Sequence, residues 1–197
     1  MASPTTRVVN NLRKRGIKVY TRFGWRSTCA PIYAYRRKFK KAQVPCSTVV
    51  QHITVTKPTG DLRADARTIE RIGMQRFGSG VSYNFMVDMA TGNVAIGQPL
   101  DAKGTHTLNE KGVRGYSFDQ NTYARAIAVI GMPETPLSKE AERAIACILA
   151  ALIDEGVVTK EFDYDPHSKF AFKDCPCDPT RSRMESIKAN ALKWTKK

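Results

Sequence analysis

The run Ala126-Ile127-Ala128-Val129-Ile130 constrains this chain most. Extended, it is apolar on both faces, so it fits a strand buried inside a sheet with cover on each side. A second pattern supplies part of that cover. Ser138 is positioned to cap a helix, with Glu140 and Glu142 in its first turn. Ile145, Ile148, Leu149, Leu152 and Ile153 form its buried stripe, and Gly156 ends it. Val49, Ile53 and Val55 alternate with His52, Thr54 and Thr56, the period-two pattern of a strand rich in β-branched residues. Lys57-Pro58-Thr59-Gly60 breaks that strand. Asp61 then caps a helix in which Leu62, Ala66, Ile69 and Ile72 share a face. Residues 81–89 and 94–96 read as strands joined by the hairpin signal Ala90-Thr91-Gly92-Asn93. Residues 98–124 and 160–180 read as loops, the second rich in Asp, Pro and Cys. A basic terminal helix follows, with Met184, Ile187, Ala191 and Trp194 on one side. Strands and helices in irregular alternation predict an α/β (α+β) domain, a central mixed β-sheet flanked by helices.

Charge divides the chain differently. The 197 residues carry a formal net charge of +14, yet residues 1–60 hold 13 basic residues and no acid, while the remainder is nearly balanced. Tyr20, Phe23, Trp25, Tyr33, Tyr35 and Phe39 are interleaved with these cations, and Arg36-Arg37-Lys38-Phe39-Lys40-Lys41 closes the stretch. The expected organisation is a basic, aromatic-rich N-terminal segment over 1–45 and a domain over 46–197 that includes the basic C-terminal helix. Such a segment suits a polyanionic partner: nucleic acid, an anionic membrane face or an anionic cell-wall polymer. An extension whose aromatics pack back on the domain fits the same residues. No apolar run approaches the roughly 18–20 residues of a membrane span. Arg7, Arg13, Lys14, Arg15 and Lys18 leave no apolar core for a secretory signal peptide, so none is expected. An organellar presequence is disfavoured by Gly16 and Asn10-Asn11, which interrupt a long amphipathic helix. Five cysteines, an odd number at low density, point to reduced thiols rather than a disulfide framework.

The three histidines, His52, His106 and His167, carry the chemistry. His52 lies on the strand face of Val50 and Thr54. His167 precedes Cys175 by eight residues in a loop stiffened by Pro166 and Pro176. Imidazole nitrogen and thiolate sulfur suit Zn²⁺. Two donors from one loop and a third from a strand match a catalytic zinc with an open position. A closed structural site of His52, His167, Cys175 and Cys177 has the same spacing.

Val50-Gln51-His52-Ile53-Thr54-Val55-Thr56, then Ser82-Tyr83-Asn84-Phe85-Met86-Val87 with the turn Thr91-Gly92-Asn93-Val94, then Gly104-Thr105-His106-Thr107 and the His167–Cys175 loop follow one another in a recognisable order. Over residues 48–178 the set resembles the zinc-dependent N-acetylmuramoyl-L-alanine amidases of the type 2 amidase and peptidoglycan-recognition family, the phage endolysins especially. The resemblance implies zinc ligands His52, His167 and Cys175, a catalytic Tyr83, an oxyanion-supporting Lys173 and His106 lining the substrate groove. It implies peptidoglycan as substrate and hydrolysis of the amide between N-acetylmuramic acid and L-alanine. The enzyme would be a phage lysin or another cell-wall hydrolase, a phage enzyme waiting in the host cytoplasm, with the basic segment on anionic wall polymers. Zinc lowers the pKa of water to about 7, which is the nucleophile amide hydrolysis needs. The chain departs from the family at Cys177, where glycine is common, at Ala126-Ile127-Ala128, where Ser-Ile-Gly is favoured, and in a longer loop after His106. Two other readings accompany this one: a non-catalytic muramyl-peptide recognition module, whose members typically lack the cysteine ligand, and a zinc-stabilised nucleic-acid-binding protein.

Overall fold

The computed structural model describes residues 2–29, 42–78, 80–107 and 120–196. The elements in chain order are α1 (Pro4–Lys14), β1 (Val19–Tyr20), β2 (Cys46–Ile53), α2 (Leu62–Phe77), β3 (Phe85–Asp88), β4 (Val94–Ile96), α3 (Gln120–Tyr123), β5 (Ala124–Ile130), α4 (Lys139–Asp154), β6 (Val158–Pro166), a 3₁₀ turn (His167–Lys169), α5 (Asp178–Arg181) and α6 (Met184–Trp194). Six strands form one mixed sheet in the order β1-β4-β3-β5-β2-β6. Only β3 and β4 are antiparallel; β5 lies parallel between β3 and β2, with all seven of its residues buried. The central mixed sheet flanked by helices is the architecture the sequence predicts.

The two faces of the sheet are covered unequally. Val49 and Ile53 of β2, Phe85 and Val87 of β3, and Ile127 and Val129 of β5 enter one large apolar core with α1, α4 and α6. On the opposite face Met86, Ala95 and Ile130 meet Leu62, Ala66 and Ile69 of α2, closed by Trp25. Strand periodicity sorts the residues, because successive side chains point to opposite faces. His52 falls on the second face, and its in-register neighbour on β5 is Ala128.

The described part of the N-terminal segment is built into the domain. Ser3 caps α1 by accepting from the Thr6 amide at 3.2 Å, Pro4 occupies the first turn, and Val8, Val9 and Leu12 are buried against α4. Asn10-Asn11 does not interrupt this helix, because buried Asn11 donates to Glu155 Oε1 at 2.9 Å and accepts from Arg15 Nε at 2.7 Å. Trp25 is fully buried and donates from its indole to Ile96 O at 2.8 Å. Of the segment's described aromatics, Trp25 packs back on the domain and Tyr20 is partly buried against it, whereas Phe23 stays 95% exposed. Tyr33, Tyr35, Phe39 and the 36–41 cationic run lie outside the described residues.

Three sequence expectations are corrected. The first part of the 160–180 loop is strand β6, whose buried Val158, Phe162 and Tyr164 are separated by exposed charged residues that hide the alternation. Strand β3 begins at Phe85, so Tyr83 and Asn84 precede it. On α6, Met184, Ile187 and Ala191 enter the core while Trp194 stays 39% exposed. Among the described residues, no helix is long and apolar enough to cross a membrane.

Candidate metal centre and groove

His52 sits near the C-terminal end of β2, His167 directly after β6, and Cys175 on the turn that follows. Because β2 and β6 are parallel neighbours, the two histidines emerge at the same end of the sheet. Their rings lie 4.3 Å apart between centroids. Cys175 returns to them because its carbonyl accepts from the Ser168 amide at 2.6 Å and its sulfur accepts from the Ile53 amide at 3.4 Å. One donor atom from each of His52, His167 and Cys175 lies within 4.8 Å of the other two. Cys177 is not in that group; its thiol faces Asp174 O at 3.6 Å. The arrangement is thus a three-donor cluster, not the closed four-donor one.

The electrostatics favour neutral imidazoles. Burial, then the neighbouring His167 and His106 and the Lys173 cation, hold His52 well below the usual imidazole range. Burial and Lys173 bring His167 down to about 4, and burial pushes the Cys175 thiol up to about 11. His167 Nε2 is buried without a hydrogen-bond partner among the described residues. Neutral nitrogens with free lone pairs, a nearby sulfur and one orphaned buried nitrogen fit a borderline-soft cation such as Zn²⁺.

The other residues singled out from the sequence surround this cluster. His106 Nδ1 is 3.2 Å from His52 Nε2, so one ring donates to the other. The Tyr83 and His52 rings are 5.1 Å apart, and burial raises the Tyr83 phenol above its ordinary range. Tyr83, His106, His167, Lys173 and Thr54 line one cavity of about 140 Å³. Its opposite wall is α2: Ile69, Ile72, Gly73, Arg76 and Phe77. A larger cavity of about 730 Å³ lies between α1 and the 21–29 segment, with none of the three histidines on its walls.

Several supports of this site carry no sequence signal of their own. Asn121 Oδ1 accepts from the Thr107 amide at 3.0 Å and its amide donates to Thr107 O, clamping the loop that carries His106. Asn84 Oδ1 accepts from Ala126 N at 2.9 Å, tying the Tyr83 segment to β5. A Cβ at Gly73 would stand 1.6 Å from Gly80 O, so only glycine lets α2 pack this closely on the Gly80 backbone beside the cavity. Arg76 and Phe77, at the end of α2, carry no pattern that marks them as part of a site. Side chains on a helix end become a groove wall only through tertiary placement.

No family model matches the sequence, and no curated protein does. Solved structures do match in fold. Drosophila PGRP-LB superposes with a TM-score of 0.71 at 16% identity, over 86% of this chain and 94% of that one. Human PGRP-IβC, solved in complex with glycosamyl muramyl pentapeptide, gives 0.66 at 17% identity, over 82% and 90%. LysCS, an N-acetylmuramoyl-L-alanine amidase endolysin from Clostridium intestinale, gives 0.57 at 23% identity, over 76% and 86%. Sheet order, helical cover and these superpositions agree: the chain has the fold shared by peptidoglycan-recognition proteins and an N-acetylmuramoyl-L-alanine amidase endolysin.

Proposed function

We propose that this protein is a zinc-dependent amidase that hydrolyses the bond between N-acetylmuramic acid and L-alanine in peptidoglycan. The observation that carries the reading is the clustering of His52, His167 and Cys175 within 4.8 Å beside a groove lined by Tyr83, His106 and Lys173. The neighbours' printed ligand and activity, a muramyl pentapeptide and amidase chemistry, support the same substrate class.

Zinc held by these three residues supplies Lewis-acid polarisation and lowers the pKa of water toward neutrality. The chain's own groups do the rest. His106 fixes the orientation of the His52 ring through the 3.2 Å contact, a support that metal-binding histidines commonly have. The Tyr83 hydroxyl orients the attacking water or the substrate, and its raised pKa keeps it protonated as a donor at neutral pH. The Lys173 ammonium, on the groove wall, stabilises negative charge developing on the carbonyl oxygen. The carbonyl carbon forms a bond to the water oxygen, the C–N bond breaks, and a proton lost by the water ends on the nitrogen, so that alanine leaves as a neutral amine and the lactyl group as a carboxylic acid.

In this reading the protein is a phage lysin or related wall hydrolase, synthesised in the host cytoplasm. The cationic 36–41 run adds weak, salt-sensitive adhesion to anionic wall polymers. The deciding experiment is product analysis of purified peptidoglycan after treatment with zinc-loaded protein, with chelator and Cys175→Ala as controls. New N-terminal alanine without new reducing sugar, abolished by both controls, is the expected result. Intact peptidoglycan from several wall types, with zinc bound and the fold retained, would transfer the groove to pure recognition. Tight, sequence-selective DNA binding with a steep salt slope would favour the nucleic-acid reading instead.

A further inference from the structure

Cys175-Pro176-Cys177 places two thiols where a three-donor centre needs one. In an extended backbone, residues two apart share a face, so both sulfurs would turn toward His52 and His167. A borderline-soft, four-coordinate cation accepts a second thiolate readily, and that ligand would close the position an attacking water needs. The fold separates the two. Cys175 Sγ accepts from the Ile53 amide at 3.4 Å, next to His52, whereas the Cys177 thiol donates to Asp174 O at 3.6 Å. The backbone of Cys177 is held as well: its carbonyl accepts from the Thr180 and Arg181 amides, both at 3.0 Å, where α5 begins.

One side chain spans this turn. Arg181, at the end of α5, folds back over it. Its Nη2 donates to Pro176 O at 2.7 Å and to Asp174 Oδ1, and its Nη1 donates to Asp178 Oδ1 at 2.8 Å. The three acceptors lie before Cys175, between the cysteines and after Cys177. Arg181 Nε is buried without a partner among the described residues, so the guanidinium is seated in the turn by its terminal nitrogens alone. A planar fork with donors at fixed angles holds three acceptors in one arrangement, which a flexible point charge does less well. Asp174 and Asp178 are exposed, and exposed ion pairs add little to global stability. What the cluster governs is the local path of the chain.

We propose that Arg181 is a positioning residue that selects between the two thiols, turning Cys175 toward the histidines and Cys177 away, so that a metal held by His52, His167 and Cys175 keeps an open fourth position. This rests on the zinc-amidase reading above. Without the guanidinium, the Cys177 sulfur, two residues from a ligand, reaches the metal and converts the centre into the closed set of His52, His167, Cys175 and Cys177. Such a centre binds zinc more tightly and has no place left for water. Arg181 does not line the groove, so its influence on the reaction passes through the turn.

The test loads the wild type, Arg181→Ala, Arg181→Lys and the double variant Arg181→Ala/Cys177→Ser with Co²⁺ in anaerobic buffer, as a spectroscopic stand-in for zinc. Zinc retention against a chelator and peptidoglycan hydrolysis are followed in parallel. The wild type is expected to show thiolate-to-metal charge transfer from one sulfur per bound metal. Arg181→Ala should show about twice that intensity, hold zinc more tightly and hydrolyse roughly tenfold or more slowly. Removing Cys177 from the same chain returns all three readouts to wild type, and Arg181→Lys falls between. An Arg181→Ala protein with a one-thiolate spectrum and wild-type hydrolysis overturns the proposal, as does a wild type that already shows two thiolates. Loss of metal affinity in Arg181→Ala, or failure of Cys177→Ser to rescue it, also overturns the proposal, because Arg181 would then only build the Cys175 turn. If Arg181→Ala does not fold, Arg181→Gln, which keeps the stem, carries the same comparison. A wild type that binds Co²⁺ through one thiolate but leaves peptidoglycan intact overturns the amidase reading alone, and one that binds no Co²⁺ overturns the two together.

Discussion

The two faces of the sheet use the same strands for opposite purposes. On the α1/α4/α6 face, β2 and β5 contribute Val49, Ile53, Ile127 and Val129 to a dry core. On the α2 face, one residue along in each strand, they present Val50, His52, Ala126 and Ala128. The alanines take little room, and that is where imidazoles, a phenol and a cavity of about 140 Å³ are found. The contrast teaches that the larger apolar core lies on one face, and its stability offsets the cost of burying polar groups on the other.

The largest stability effect is therefore expected on the dry face. Leu149→Ala on α4, 1% exposed in the native protein, should cost about 2–5 kcal/mol in urea denaturation. A cost below 1 kcal/mol would break the comparison.

Glu70 is the next test, because it anchors the 22–29 segment over the thinner face. Burial alone would raise its pKa, but hydrogen bonds from Ser27, Thr28 and Cys29 and the charge of Arg22 hold it below the ordinary 4.5. A carboxyl whose native pKa is depressed contributes stability that is complete above its unfolded value and lost as pH falls through the native one. Glu70→Gln should cost about 2–3 kcal/mol at neutral pH and flatten the acid limb of the stability profile. An unchanged acid limb in the variant would assign that limb to other carboxylates.

Replacing the cluster residues should do the reverse. His167→Ala in chelated protein should change stability by less than about 1 kcal/mol, since the lost packing is offset by removal of an orphaned nitrogen. Zinc retention, followed by equilibrium dialysis, should be lost. Tyr83→Phe should leave zinc retention and Tm nearly unchanged and reduce turnover about 10²-fold or more. If Tyr83→Phe instead loses zinc, the tyrosine is supporting the cluster rather than the reaction.

Much of this was readable in the chain. The central strand, the Ser138-capped helix and the Asp61-capped helix follow from periods of two and 3.6, which burial imposes locally. The histidine and cysteine candidates were readable because those residues are scarce and His167 and Cys175 share one short loop. Strand β6 was not, because an edge strand exposes one side to water and carries the Lys, Glu and Asp of a loop. Helix α1 was obscured in the same way: Asn10-Asn11 looks like an interruption until Glu155, 144 residues from Asn11, supplies the hydrogen-bond partner.

Sequence by itself determined which residues alternate, which helices are capped and where the donor atoms for a soft cation lie along the chain, since these depend on neighbours a few residues away. Only the tertiary structure decided that β2 and β6 run side by side so that His52 meets His167 and Cys175, that Cys177 turns aside, and that Arg76 faces a groove. Those outcomes depend on strand order and helix placement, which the burial of the whole core settles at once and no local pattern encodes.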